Sequence, residues 1–71
     1  MFYEKFCALC TEFNKKPNAV TKELGLSNAT ATHWKKGDIP KGETLIILAD
    51  YFNVSIDWLL DRTENRYAHK N

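Results

Sequence analysis

Two groups of residues in this 71-residue chain carry side chains able to do chemistry: a Cys-x-x-Cys pair and a polar run inside a lysine-rich stretch. Cys7 and Cys10 invite a metal or redox reading. A structural zinc site takes four ligands, and the only histidines, His33 and His69, lie far from both thiols and lack paired spacing. A thioredoxin-like motif belongs beside a βαβ pattern, and no strand-like alternation occurs here. The three-residue spacing instead puts both thiols on neighbouring faces of one helix, where cysteine acts as a small hydrophobe. Neither a metal nor another cofactor is expected. Paired carboxylates, a nucleophile with a base, and a glycine-rich phosphate loop are all missing, so the expectation is no enzyme and no small-molecule substrate.

The second group lies between residues 15 and 41. Lys15, Lys16, Lys22, Lys35, Lys36 and Lys41 fall there against only Glu23 and Asp38, although the whole chain carries a net charge of +1. Glu4, Glu12, Glu43, Asp50, Asp57, Asp61 and Glu64 hold the remaining acids in the flanks. The average therefore conceals a basic patch, the electrostatic signature of a phosphate-binding surface.

The elements that must position these residues are helices. Seventy-one residues make one domain, and 44% hydrophobic with 13% aromatic residues suffices for one core. No apolar run approaches the ~20 residues of a membrane span and no leader pattern opens the chain, so a cytoplasmic location without membrane contact is expected. Phe6, Leu9, Cys10 and Phe13 recur at helical spacing, with Phe2 a turn earlier, predicting a helix over about 2–14. Asn14 to Lys16 reads as a connection. Pro17 suits the first position of a second helix, where its missing N–H is not needed. Val20 and Leu24 point inward, and Gly25 ends that helix at positive φ. Ser27 is placed to cap a third helix through its hydroxyl. That helix buries Ala31 and Trp34, carries Lys35 and Lys36 in its last turn, and stops at Gly37. After a loop over Asp38 to Lys41 with Pro40, a fourth helix runs from Gly42 to Phe52 with Leu45, Leu48, Ala49 and Phe52 inward. Ser55 caps a fifth helix to about Asp61, burying Ile56, Leu59 and Leu60. Residues 1–61 form the folded domain, and 62–71 a loose polar tail.

The predicted architecture is all-α, a compact five-helix bundle. Helices two and three, joined only by Gly25-Leu26-Ser27, must cross steeply, at roughly 90–120°, which makes them a helix-turn-helix. In this register the order Pro17, Val20, Leu24-Gly25-Leu26-Ser27, Trp34, Gly37, Pro40, Thr44-Leu45, Leu48-Ala49, Phe52-Asn53-Val54-Ser55 and Asp57-Trp58-Leu59-Leu60 resembles the Cro/phage-repressor (XRE) helix-turn-helix domains, over residues 2 to 61. The resemblance implies a lambda-repressor-like fold. It also implies a regulator, of repressor type in phages and mobile elements, that binds palindromic operator DNA as a homodimer. Three positions depart from the family pattern. Thr21 stands where the helices touch and Ala or Gly is usual, Pro17 replaces a common glutamine, and Lys35 replaces a common glutamate.

With Ala31 and Trp34 inward, Asn28, Ala29, Thr32, His33 and Lys36 share the outer face of the third helix. An α-helix fits the major groove and meets base edges with its early residues. Asn28, Ala29, Thr32 and His33 are therefore the expected base contacts. Lys16, Pro17 and Asn18 at the start of helix two, with Thr30, Lys35, Lys36 and Lys41, are the expected phosphate contacts. In the family the last helix often joins the dimer, which points to Trp58. A different class of function, an antitoxin or antirepressor partner of the same fold that touches DNA secondarily or not at all, is the alternative that the low net charge leaves open.

Overall fold

Phe2, Phe6, Leu9 and Cys10 are buried on one stripe of the first helix, α1, which spans Phe2–Glu12. The computed structural model describes residues 2–68, the side chain of Asn28 excepted, and within them α1 is followed by α2 (Pro17–Glu23), α3 (Asn28–Lys35), α4 (Gly42–Phe52) and α5 (Ile56–Leu59). His69 lies outside the described residues. Among the described residues there is no strand, and the fold is the expected all-α five-helix bundle.

Each helix stops by the same device. Asn14 (φ 58), Gly25 (φ 77), Gly37 (φ 117), Asn53 (φ 55) and Asp61 (φ 65) adopt the left-handed conformation one or two residues past a helix end. The next residue then donates its N–H back five positions: Lys15 to Cys10 (2.8 Å), Leu26 to Thr21 (2.9 Å), Asp38 to His33 (3.1 Å), Val54 to Ala49 (3.0 Å) and Arg62 to Asp57 (2.9 Å). These are Schellman motifs, which satisfy carbonyls the helix leaves open. They explain two differences from the expected boundaries. Helix α1 ends at Glu12 rather than near residue 14, and α5 ends at Leu59 rather than Asp61, because Asn14 and Asp61 turn the chain. Phe13, placed inward by periodicity, lies in that turn 43% exposed and only edges onto Phe52 at 5.1 Å.

The starts differ from one another. Pro17 opens α2 as expected, and the Ser55 hydroxyl accepts from the Trp58 N–H at 3.0 Å. Ser27 has the extended backbone of a cap but receives no backbone N–H. Its hydroxyl is paired with the Thr30 hydroxyl at 3.1 Å instead, because the side chain three residues on competes for the same oxygen.

The core is assembled around aromatic edges. Phe2 and Phe6 of α1 each meet the Trp34 ring of α3 at 5.2 Å, nearly perpendicular, and Phe6 meets Phe52 of α4 at 6.2 Å. Leu9, Val20, Leu48, Val54 and Leu59 complete it with almost no exposure, while Leu24, Leu26, Ile56 and Leu60 pack around it half-buried. Edge-to-face pairs add about 0.5–1.5 kcal/mol each beyond area burial. Trp34 thereby fixes the rotation of α3, and with it which side chains α3 shows to solvent.

Residues 62–68 touch the domain through Arg66. Arg66 makes a two-pronged pair with Glu12 of α1 (2.9 and 2.8 Å) and stacks 4.8 Å over the Trp58 ring. Its carbonyl accepts the Ser55 N–H at 2.7 Å. Bidentate geometry and a ring to lie on give one arginine the purchase that polar composition hides.

Candidate nucleic-acid interface

Helices α2 and α3 share the most extensive helix–helix contact of the fold. Gly25 makes this possible by turning the chain between them. Thr21 of α2 is buried, 2% exposed, and its hydroxyl donates to the Asn18 carbonyl at 3.0 Å. The bulkier residue is accommodated because its polar atom is satisfied within its own helix.

On α3, Ala31 and Trp34 are buried while Ala29, Thr32, His33, Lys35 and Lys36 are exposed and Thr30 is half-buried. The backbone of Asn28 opens the helix, and its side chain lies outside the described residues. Ala29, Thr32, His33 and Lys36 thus form one solvent face of a helix locked from behind by its tryptophan. Lys16, at the N-cap of α2, and Asn18 are exposed beside a half-buried Pro17.

The basic residues do not form one uniform patch. Thr30, His33 and Lys41 line a shallow depression of about 330 Å³ together with Leu26, Asp38 and Thr44. Lys35 and Lys36 line another, of about 400 Å³, bounded by Phe2, Tyr3 and Leu60. Ile39, 64% exposed, borders both. Lys15 is withdrawn from the patch: its ammonium contacts both Glu23 carboxylate oxygens at 2.9 and 3.1 Å, and the Tyr51 hydroxyl donates to the same carboxylate. Glu23 holds Lys15 protonated well above its ordinary range, and Lys15 in turn holds Glu23 below its own. The other acid of the stretch, Asp38, lies 3.5 Å from the His33 ring. Both acids of the basic segment therefore face a base.

Sequence reasoning missed these pairings for different reasons. Lys15 and Glu23 sit eight residues apart across a turn, and Tyr51 is 28 residues further on, separations without a helical signature. Asp38 was legible in principle, since a glycine at 37 sets the following residue beside position 33.

Trp58 is half-buried, with the Lys5 ammonium 4.4 Å and the Arg66 guanidinium 4.8 Å from its ring centre. Cys10 is buried, and burial, then its neighbour Cys7, push its thiol up to about 11. Both cysteines are free. Among the described residues, no three His, Cys, Asp or Glu side chains are grouped to hold a metal ion, and no helix is long and apolar enough to cross a membrane.

A family model described as helix-turn-helix matches residues 8–59, well over half of the chain. The chain belongs to the Cro/phage-repressor (XRE) helix-turn-helix family. It is accordingly a DNA-binding regulator of the XRE type, in a family whose business is double-stranded DNA rather than catalysis. The match spans the turn, α3, and α4 through α5, so the helix-turn-helix and the helices packed around it fall within one family match. No curated protein and no solved structure matches the chain.

Proposed function

We propose that this XRE-type protein is a repressor, acting in the cytoplasm, that occupies a palindromic operator as a homodimer. The observation that carries the reading is the rotation of α3: Trp34 locks it so that Ala29, Thr32 and His33 face outward together. Laid in a major groove, that face offers a methyl from Ala29 and one from Thr32 to thymine, and an imidazole to a base edge. Asn28, at the head of the helix, is the amide suited to a bidentate contact with adenine. Lys16, Pro17 and Asn18 at the start of α2, and Thr30, Lys35, Lys36 and Lys41 around α3, supply phosphate contacts that set register.

Size supports the dimer. The described residues measure 30 × 23 × 20 Å, less than the ~34 Å between successive major-groove faces. One copy reaches one half-site, and two copies read a palindrome. Trp58 on the terminal helix is the proposed anchor of that pairing.

Selection of duplexes from a random library tests the base assignment. Wild type enriches a two-fold symmetric sequence, and Asn28→Ala and His33→Ala each relax one position of the half-site, at about 1–3 kcal/mol per lost contact. Identical preference in all three proteins would remove α3 from recognition. A second reading, an antitoxin or antirepressor partner of the same fold, draws on the net charge of +1 and on Ile46 and Ile47, which are 53% and 42% exposed on α4. It predicts capture of one protein partner without salt-dependent DNA retention.

A further inference from the structure

The end of α3 brings an acid to the proposed base-reading face. Gly37 turns the chain at φ 117, and the Asp38 N–H bonds back to the His33 carbonyl at 3.1 Å. In this motif the residue after the turn lies over the one five positions earlier, a contact that is commonly apolar. Here it is polar: Asp38 Oδ2 stands 3.5 Å from His33 Nδ1. A carboxylate at a phosphate-facing surface repels the backbone it approaches and weakens binding. Its position against one particular ring nitrogen gives it another use.

We propose that Asp38 is a specificity-determining residue that fixes the hydrogen-bonding sense of His33, so that His33 presents a bare acceptor nitrogen to the base. This rests on the reading of α3 as the base-contacting helix. A neutral imidazole has one N–H and one lone pair, and an ionised carboxylate can only accept. Beside Asp38 the proton therefore resides on Nδ1, and Nε2, the outer nitrogen, accepts. In the major groove, adenine N6 and cytosine N4 carry the amino donors, whereas guanine and thymine present acceptors there. His33 oriented by Asp38 thus selects adenine or cytosine. The pair is open to water in the free protein, with side-chain exposures of 60% and 67%, and is weak there. Closing the groove over it removes that water and strengthens it.

The readouts separate orientation from charge. Asp38→Asn and Asp38→Ala both remove the charge, and the amide of asparagine, donor as well as acceptor, no longer confines the proton to Nδ1. Both variants bind random duplex DNA more tightly than wild type, which reports the charge. At pH 8, where imidazole side chains are ordinarily neutral, nitrogen-detected NMR of the full chain reports the tautomer, with His33→Gln separating the His33 signals from those of His69. Wild type shows more of the Nδ1–H form than either variant. In selections at the same pH, wild type enriches adenine or cytosine at one half-site position, at least five-fold over guanine. Asp38→Ala turns that position toward guanine or thymine, and His33→Ala loses it. An enriched operator with Asp38→Ala unchanged in tautomer and base preference overturns the role of Asp38 alone. No enriched sequence from wild type overturns the reading of α3, and this proposal with it.

Discussion

Cys10 sits wholly inside the core with its thiol pushed up to about 11 by burial, and the thiolate is the reactive form. At pH 7.5 iodoacetamide should therefore modify half-buried Cys7 first and reach Cys10 only on unfolding; equal rates in the native protein would contradict the packing role of Cys10. Glu12 presents a separate pH-dependent case. Arg66 beside it holds its carboxyl below the ordinary glutamate range, so the pair stabilises the fold above that range and is lost as pH falls through the lowered value. Glu12→Gln should lower the urea midpoint at pH 7, and the difference from wild type should shrink steadily on acidification. A difference that grew toward low pH would have the sign wrong.

At the scale of elements, the five left-handed helix ends do the punctuation. Nothing lies within 4 Å of a Cβ added to Gly25 at φ 77, so the penalty of Gly25→Ala is backbone strain alone, about 1–2 kcal/mol. At Asn53, φ 55, glycine should be tolerated within about 0.5 kcal/mol, whereas alanine should lose about 1 kcal/mol. Denaturant titration ranking Asn53→Ala equal to Asn53→Gly would deny that the conformation matters. These ends also show what the sequence discloses. Gly25 and Gly37 announce their turns because glycine has few other reasons to be there. Asn14, Asn53 and Asp61 take the same conformation but are ordinary polar residues on any helix, and near Asn14 and Asp61 the helices end two residues earlier than periodicity predicts. The inward stripes of α1 and α4 were legible because 3.6-residue periodicity is set by one chain segment alone. The contacts of Arg66 with Glu12 and of Tyr51 with Glu23 join segments 54 and 28 residues apart, and no local pattern encodes them. For the candidate interface, exposure of Ala29, Thr32 and His33 followed directly from burying Trp34, whereas the loss of Lys15 to Glu23 depended on how α1 ends.

For the molecule as a whole, size and charge placement matter more than total charge. The described chain is smaller than one turn of DNA, so operator recognition on this account requires pairing. Sedimentation should show a dimer on operator duplex, and Trp58→Ala should shift the complex toward monomer while circular dichroism stays helical. A monomer at high concentration with and without duplex would refute pairing. With Lys15 held by Glu23, the cations proposed for phosphate are Lys16, Lys35, Lys36 and Lys41. The most direct measurement is affinity for the selected duplex and for a scrambled duplex across a salt series. Log affinity should fall linearly with log salt on both, with a slope of about −3 to −4 per bound copy for four phosphate contacts, and the selected duplex should bind tighter throughout. Salt-independent retention, or equal affinity for the two duplexes, would contradict sequence-specific DNA binding.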